Sequence, residues 1–501
     1  MTIKYVGRYR SKGEFNYTAT LYTTEKAIKE KYQLMWGDRV RVIKKGNKYS
    51  KVVARGMPGW IKNSRLNGKS LLEFYFIDVG QGDGVLIRTP DNKHILIDGG
   101  WPRSKQPLGK NACDFLDWKF AKDYEMANIE LEAIICSHND QDHYGALWDL
   151  FNPKQANEMR ISQKNTFVEN VYHAGLSWWE KTSTNSVGKK VTNRTLGKVV
   201  TKQKDKFFVD LLSDRVSIVN GLKSKAKPKL QGEWAKFLRC ISKSKTKGGK
   251  NTPFKRLGSN VGFLPGFEND NKSPSIKVLG PVDFKVGNKD GIRYFSGGTS
   301  KNTNGNSVLL RVDYGRKRFL LTGDLNLASQ ESLLTDYKCK HDEFRCDVAK
   351  ACHHGSEDVA FDFLKAMNPV ATIISSGDSE GHDHPRPNII AAAGFAGRAT
   401  VRNNKIESPL VYSTELARSV KFSEISSIED KKTGKIYKGK TLPDLAIDFK
   451  GRKNGPKLKP NDRSIATNII FGLINVRTDG ETILCSALNE KEKKWNIKTF
   501  C

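Results

Sequence analysis

The stretch "LEAIICSHNDQDHYGAL", residues 131 to 147, decides the fold prediction for this chain. Its first six residues are a short apolar run of the kind that forms a buried strand. Residues 137 to 143 then form a loop that holds two histidines and two aspartates, although the chain has only nine histidines. Because imidazole and carboxylate groups bind divalent metals, this loop predicts ligands for two neighbouring ions. The alternative is an ordinary polar surface loop.

Similar apolar runs occur on both sides of this stretch, and each is bounded by Gly or Asp. They read "LLEFYFIDVG", "VLIRTP" and "HILIDGG" before it, and "SVLLRVDYG", "RFLLTGDL", "DVAKACHH" and "VATIISSG" after it. Segments with helical spacing, such as "DHYGALWDLF" and "FDFLKAM", lie between the runs. This alternation predicts an α/β domain over residues 71–501, with its chemistry in the loops at strand ends.

More residues of metal-binding type follow the other predicted strands. Asp98 ends "HILIDGG" and Asp324 ends "FLLTGDL". His353 and His354 follow "DVAKAC", and His382 with His384 lie in "GDSEGHDHPRP". Each of them alone could be a helix cap or a surface residue. Their recurrence at strand ends favours one shared metal site.

Residues 1–66 differ from the rest, because short β-rich runs alternate there with glycine turns. This segment resembles a bacterial SH3-like barrel, which would bind a protein partner or wall material. The alternative is a small β appendage that only packs on the main domain.

The composition excludes an integral membrane protein, since no stretch approaches the ~18 consecutive apolar residues of a membrane span. The N-terminus lacks the apolar core of a secretory signal. The eight cysteines include no C-x-x-C pair, so neither a zinc ribbon nor a disulfide framework is indicated. We therefore expect a cytoplasmic protein that does not engage a membrane.

The positive charge is concentrated in one segment. The chain carries a net charge of +31, and residues 181–257 hold 21 Lys and Arg against 4 Asp and Glu. Such a basic block attracts polyanions, and nucleic acid is the partner we expect. The alternative is a solvated loop without a partner. We predict a basic insertion over about 181–300, a second hydrophilic loop over about 429–463, and a terminal hairpin around the "TDG" turn.

The ordered set "FIDVGQGDGVLI", "ILIDGG", "SHNDQDHYGAL", "NSVLLRVDYG", "FLLTGDL", "HHGS" and "HP" resembles the metallo-β-lactamase superfamily. Within it, the set is most similar to the competence-type (ComEC-like, DNA-uptake) branch. The resemblance covers roughly residues 71–150 and 300–420. It implies an αββα metallo-β-lactamase sandwich, here with the small N-terminal β-barrel (SH3-like) domain.

The resemblance also implies roles for individual residues. His138 and Asp140 would bind a first divalent ion, Asp142 and His143 a second, and Asp324 both. His353 is the preferred terminal ligand, so that His354 would contact substrate or protonate a leaving group. Asp98 would orient a ligand. The implied metal ligands are thus His138, Asp140, Asp142, His143, Asp324 and His353, and the implied catalytic residues are Asp142, His354 and Asp98.

Two departures from the family pattern change what is expected. Asp140 stands where the superfamily usually has histidine, and oxygen in place of imidazole favours Mn²⁺ or Mg²⁺ over Zn²⁺. The usual third-motif histidine is missing, and the one histidine in that region, His173, also fits a simple strand. Asn304 and Asn306 could line the site instead. Substrate contacts are expected from Asn304, Asn306, His382 and His384.

These features predict a metal-dependent nuclease or phosphodiesterase that hydrolyses nucleic acid, DNA above RNA, through a hydroxide activated by two Zn²⁺ or Mn²⁺ ions. An effector of a defence system would fit this activity. One alternative is a hydrolase of the same fold acting on a cyclic nucleotide or an ester. The other is a non-catalytic module that binds nucleic acid or a protein and holds a structural metal.

Overall fold

The computed structural model describes residues 2–11, 13–106, 111–152, 165–269, 273–377, 384–402, 405–415, 427–430, 432–438, 472–489, 492 and 494–501. Across these ranges, no helix has both the length and the apolar character needed to cross a bilayer.

The N-terminal segment forms a small β domain with its own apolar core. Its main sheet has the strand order β1-β6-β7-β8-β4-β5 and encloses residues such as Val6, Leu21 and Val52. The strands are β1 (Thr2–Tyr5), β2 (Tyr9–Ser11), β3 (Glu14–Asn16), β4 (Thr18–Tyr22), β5 (Glu30–Met35), β6 (Arg39–Lys44), β7 (Tyr49–Ala54) and β8 (Met57–Lys62). The small β domain predicted from the sequence is confirmed, and its SH3-like character stays a prediction.

A buried ion cluster joins this domain to the rest of the chain. Asp38 accepts hydrogen bonds from Arg55 at 2.8 Å and lies 2.7 Å from Arg477, which is wholly buried. Next to it, Met35 and Trp36 pack in one apolar cluster with residues of the main domain. The N-terminal domain is therefore fixed to the main domain through a buried interface.

The first half of the main domain builds one region of a mixed sheet. It comprises β9 (Leu72–Phe76), β10 (Gly84–Arg88), β11 (His94–Asp98), α1 (Ala112–Trp118), β12 (Ile129–Cys136), α2 (Gln141–Phe151) and β13 (Thr166–His173). Every residue of β9, β10 and β11 is buried, as expected for strands covered on both faces. Strands β11, β12 and β13 run parallel, so their C-terminal ends meet at one edge.

The basic insertion is folded. It contains β14 (Trp179–Thr184), β15 (Lys190–Thr195), β16 (Val199–Lys202), β17 (Asp205–Phe208), α3 (Arg215–Gly221), α4 (Gly232–Ile241) and β18 (Phe254–Arg256). Helix α4 buries Trp234, Phe237, Leu238 and Ile241, whose spacing makes one apolar face. Trp234 and Phe237 lie 5.0 and 4.9 Å from the ring of Tyr144 in α2. The insertion therefore covers the helix that begins in the histidine loop.

The second half of the main domain builds the other sheet, in the order β19-β22-β23-β24-β25-β28. Its elements are β19 (Ser275–Gly280), β20 (Phe284–Val286), β21 (Lys289–Arg293), α5 (Thr299–Gly305), β22 (Leu309–Tyr314), β23 (Lys317–Leu321), α6 (Leu327–Asp336), β24 (Val348–Lys350), α7 (Phe361–Met367), β25 (Ala371–Ile374), α8 (Pro387–Ala396), β26 (Thr400–Arg402), β27 (Lys405–Glu407) and β28 (Leu410–Ser413). Strands β23, β24, β25 and β28 run parallel.

The C-terminal strands return to the first sheet, which reads β18-β13-β12-β11-β10-β9-β31-β32-β33. After the short pair β29 (Ser427–Glu429) and β30 (Ile436–Lys438) come β31 (Ile474–Thr478), β32 (Ile483–Asn489) and β33 (Lys494–Phe500). Strands β31 and β32 form the predicted hairpin. The hydrophilic loop predicted over 429–463 lies mostly outside the described residues.

The two sheets pack face to face, with helices on both outer faces. Residues of both sheets share the central core, where the rings of Phe74 and Phe319 stack at 4.4 Å. Helices α1, α2 and α4 cover the first sheet, and α6, α7 and α8 cover the second. This is the αββα sandwich expected from the sequence, and that prediction is confirmed.

Candidate metal centre

The candidate site lies where the strand ends of both sheets meet. Strands β11 and β12 lead into Asp98 and the loop 137–140, while β23 and β24 lead into Asp324 and His353–His354. Strand β10 begins at the same edge, because it runs antiparallel to β11 with Gly84 opposite Asp98. That register places Asp83 among the same side chains. The sequence prediction of one shared cluster therefore agrees with the packing of the two sheets.

His143 is held in one orientation by Asp98. Its Nδ1 lies 2.9 Å from Asp98 Oδ2, and the other oxygen of Asp98 accepts the Ser137 amide at 2.8 Å. His143 Nε2 consequently faces Asp324 Oδ2 at 3.2 Å. A carboxylate behind an imidazole is the usual way to fix the ring of a metal-binding histidine.

His138 is oriented by two serines. Its Nδ1 lies 3.0 Å from the Ser137 hydroxyl and 3.3 Å from the Ser307 hydroxyl. Ser307 Oγ also accepts the backbone amide of Asp324, at 3.1 Å. One buried hydroxyl thus connects the first histidine of the loop to the aspartate in the middle of the cluster.

Asp324 lies at the centre of the cluster. Its Oδ2 is 2.9 Å from His354 Nε2 as well as 3.2 Å from His143 Nε2. Burial opposes ionisation of this carboxylate, but the two imidazoles outweigh burial and hold the pKa of Asp324 well below its ordinary value. In the same way, Asp324 and Asp83 outweigh burial and raise the pKa of His354 to about 10. The carboxylates of the cluster therefore strongly favour bound positive charge.

Asp140 and Asp142 form the outer, more accessible side of the cluster. Asp140 accepts a hydrogen bond from Thr303 at 3.0 Å and lies 3.7 Å from His138 Nε2. Burial and the nearby Asp142 raise the pKa of Asp140 to about 7. Asp142 Oδ2 lies 3.7 Å from His354 Nε2 and accepts a hydrogen bond from Gln81. The two aspartates of the loop therefore face different histidines, Asp140 facing His138 and Asp142 facing His354.

The structure distinguishes the two adjacent histidines after β24. His354 is 2% exposed and reaches Asp324 and Asp142, whereas the His353 side chain is 24% exposed and lies 4.0 Å from Asp324. Both residues have left-handed backbone, with φ of 53° and 45°, which non-glycine residues rarely adopt. His354, rather than the His353 preferred from the sequence, is thus placed with the inner ligands. His353 lies at the mouth beside Asn304, at 3.2 Å.

The donor set fits divalent ions. Four groups of side chains among the described residues have ligand atoms within 4.8 Å of one another, namely His138–His143–Asp324, Asp142–His143–His354, Asp83–Asp98–His143 and Asp83–Asp324–His354. His138 Nε2 is buried and makes no hydrogen bond to any part of the chain that the structure describes. A buried imidazole nitrogen that faces carboxylates without a proton partner is what a metal ligand requires.

The residues predicted to bind substrate are placed differently from one another. Asn304 lies at the mouth, and His384 stands with its ring 5.8 Å from that of His353. The side-chain amide of Asn306 instead donates hydrogen bonds to the backbone oxygens of Arg293 and Asn302. It therefore stabilises the local backbone. His382 lies outside the described residues. His173 is 2% exposed at the end of β13, and it belongs to none of the clusters found among the described residues.

Two residues that the sequence reasoning missed complete the inner side. Asp83 lies 3.3 Å from His354 Nδ1 and forms a buried ion pair with Lys350. The sequence signal that could have found them was position, since Asp83 stands directly before a buried strand and Lys350 ends another.

The second glycine of the "GQGDG" run, Gly82, is required by the backbone. A Cβ there would lie 2.0 Å from the Asp142 carbonyl, and the φ of Gly82 is +112°.

The two tryptophans of "LSWWEK" serve packing. Trp179 is buried and its indole N–H donates to the Asp210 carbonyl, while the guanidinium of Arg194 covers Trp178 at 4.5 Å. Trp179 is therefore not presented as a stacking surface for bases, and Arg194 occupies one face of Trp178.

The chain has recognisable relatives. Residues 77–180 match the family model "Metallo-beta-lactamase superfamily". ComE operon protein 3 of Bacillus subtilis (strain 168) is 27% identical over 88 residues, which is 17% of this chain and 11% of that protein. Competence protein ComA of Neisseria gonorrhoeae is 36% identical over 83 residues, 16% of this chain and 12% of that protein. The chain thus spans about a tenth of the length of these curated relatives.

A solved crystal structure also resembles the chain. It is Tm1679, described as a metal-dependent hydrolase of the beta-lactamase superfamily, with 12% sequence identity and a TM-score of 0.29 over 64% of this chain and 91% of that one. Residues 77–180, which carry the strand, loop and helix of the candidate centre, match the model of the metallo-β-lactamase superfamily, and they lie within an αββα sandwich.

Proposed function

We propose that the protein is a metal-dependent phosphodiesterase that hydrolyses nucleic acid, with DNA as the preferred substrate. The observation that carries the proposal is the convergence of the loop ligands, Asp324 and His354 on one partly open cluster. His138 and Asp140 would hold one divalent ion, and Asp142, His143 and His354 a second. Asp324 lies where both could share it.

Two ions in such a site supply the acidity that makes water a nucleophile at neutral pH and the charge that stabilises an attacked phosphoryl group. The residues of the chain have complementary roles. Asp98 fixes the His143 ring, and Ser137 with Ser307 fixes the His138 ring. We assign proton transfer to the leaving oxygen to His353, because it is the more exposed histidine of the pair and faces the mouth.

Charge supports a polymeric substrate. The segment 181–257 is folded over α2, with its apolar side chains buried and most of its lysines exposed. Lysines held on a folded surface beside the site can contact phosphates without reading sequence. A small neutral ester gains nothing from such a surface. The relative from Neisseria gonorrhoeae is a competence protein, and the motifs resemble the DNA-uptake branch.

The test is a cleavage assay with Mn²⁺ on single-stranded DNA, double-stranded DNA and RNA, with bis(p-nitrophenyl) phosphate as a small substrate. Wild-type protein should cut a polymer, and Asp142→Ala/His143→Ala should abolish the cutting. The matched control is His341→Ala/Asp362→Ala, since both residues are exposed and neither belongs to a group of possible metal ligands among the described residues. Cutting that survives the first pair would contradict the proposal. Hydrolysis of the small substrate alone would instead favour a small-molecule hydrolase.

A further inference from the structure

A buried lysine lies directly behind the candidate centre. Lys350 is the last residue of β24 and is 2% exposed. Its ammonium donates to the Gly323 carbonyl at 2.9 Å, pairs with Asp83 and lies 3.6 Å from Asp324 Oδ1. Three oxygens from two segments of the chain, Asp83 and Gly323–Asp324, therefore surround one ammonium group.

The ammonium lies next to one of the groups of possible metal ligands. Asp83, Asp324 and His354 are one of the groups whose ligand atoms lie close enough to hold a metal, and Lys350 contacts both of its carboxylates. Burying an ammonium is costly unless opposite charge compensates it closely. The carboxylates that compensate the charge of Lys350 are those of Asp83 and Asp324. The position of the ammonium therefore depends on residues of the candidate centre.

The charges of the centre lead to the same assignment. Five carboxylates face it, those of Asp83, Asp98, Asp140, Asp142 and Asp324. Within the described chain, Lys350 is the one Lys or Arg side chain that pairs with any of them. One ammonium leaves four negative charges, which match two divalent ions.

We propose that Lys350 is a positioning residue that acts as a third, built-in cation of the centre. It holds Oδ1 of Asp324 inward, so that Oδ2 alone faces His143 and His354 and is available to two ions at once. Among the described residues, Asp324 Oδ1 accepts no hydrogen bond, and the Lys350 ammonium lies 3.6 Å from it. Without that ammonium, both oxygens of Asp324 would be free to turn toward one ion. The inference rests on the two-ion assignment of the proposed function.

The test counts ions directly. Chelator-treated protein is titrated with Mn²⁺, and bound ions are counted by equilibrium dialysis with elemental analysis. Wild-type protein should bind two equivalents. Lys350→Met, which keeps the length and apolar volume of the side chain, should retain one and bind the second about 10–100-fold more weakly, the range found when groups supporting metal ligands are removed.

The matched control is Lys119→Met. Lys119 is also buried and paired with an aspartate, Asp123, but it lies away from the cluster. Its replacement should lower the unfolding midpoint and still leave two bound ions. The double variant Asp83→Asn/Lys350→Met removes both buried charges together, so it should fold even where Lys350→Met does not, and it should also lose the second ion.

Two bound ions with wild-type affinity in both Lys350 variants, or fewer than two in the wild type, would overturn the inference. A wild-type protein that binds two ions and cuts no nucleic acid would contradict the proposed function alone. Cleavage by wild-type protein, together with unchanged ion binding in Lys350→Met, would contradict the role of Lys350 alone.

Discussion

At the residue scale, the site depends on which atom each side chain presents. Asp98 and the two serines turn the Nε2 atoms of His143 and His138 toward the same space. His353 and His354 are neighbours in the chain, yet one faces the mouth and the other the interior. Their different positions lead to a direct comparison.

We expect His354→Ala to lose an ion and His353→Ala to keep both. His354 Nε2 lies 2.9 Å from Asp324 Oδ2, whereas His353 is more exposed and farther away. His353→Ala should cleave nucleic acid at least ~100-fold more slowly, the low end of the effect of proton transfer. His354→Ala should also lose cleavage, because an ion is missing. Elemental analysis and single-turnover rates measure the two effects. Loss of an ion in His353→Ala with retention in His354→Ala would reverse the assignment.

His94 predicts a pH dependence of stability away from the centre. Burial, with Arg88 and Lys119 nearby, lowers the pKa of His94 to about 3. The unfolded chain binds this proton near the ordinary value of ~6.5, so the contribution of His94 is complete above that pH and is lost as the pH falls toward 3. The free energy of unfolding should fall by about 1.4 kcal/mol per pH unit from this residue.

Urea unfolding of chelator-treated protein at pH 7, 6, 5 and 4.5 checks this expectation. His94→Gln should show a slope with pH that is shallower by that amount, because Gln takes up no proton. His173, whose pKa burial also lowers to about 3, remains in both proteins and cancels. Equal slopes for the two proteins would contradict the prediction.

The loop from His138 to His143 could be predicted from the sequence, because its ligands are contiguous and follow a core strand. Asp83, Ser307 and Lys350 could not, since they meet the loop only where the two sheets pack together. The sequence also did not show which of His353 and His354 faces the inner ligands. Alternation along a strand would point successive side chains oppositely, but left-handed backbone at both residues ends that alternation.

At the scale of elements, the N-terminal domain and the insertion are both more integrated than their sequences indicate. Asp38 of the first compensates Arg477 of the last hairpin, which no local pattern reveals. Helix α4 of the insertion buries its apolar face on α2. Removing residues 181–257 would therefore uncover α2, and charge substitutions are the cleaner test of the basic segment.

We expect Asp38→Ala to destabilise the protein by about 3–5 kcal/mol, because it leaves Arg55 and Arg477 buried without a counter-charge. Glu125→Gln is the matched control at the same domain interface. Its pair with Arg41 is about a quarter exposed, and its loss should cost no more than about 1 kcal/mol. Denaturant unfolding measures both. Similar small losses would mean that the buried cluster does not join the domains.

The hairpin of β14 and β15 gives a second prediction at this scale. Its exposed cations include Lys181, Lys189 and Lys190. Changing these three to Gln should weaken DNA binding and reduce the slope of log affinity against log salt by about 0.9 for each phosphate that the protein no longer neutralises. The same change at Lys26, Lys45 and Lys48, exposed on the N-terminal domain, is the control. Equal effects of both triplets would mean that the hairpin is not a binding surface.

At the scale of the whole molecule, two features support one activity. The αββα sandwich brings carboxylates and imidazoles from both sheets to one edge. The net charge of +31 gives the surface an attraction for polyanions. The fold and the position of the cluster follow from the order of short apolar runs, while the arrangement of ligands follows from the register of the strands.

The most direct test of the central claim is anomalous diffraction from crystals grown with Mn²⁺. The account predicts two anomalous peaks in the cluster. One should lie between His138 and Asp140, the other between Asp142, His143 and His354, and Asp324 should contact both. A single peak, or peaks away from these side chains, would contradict it.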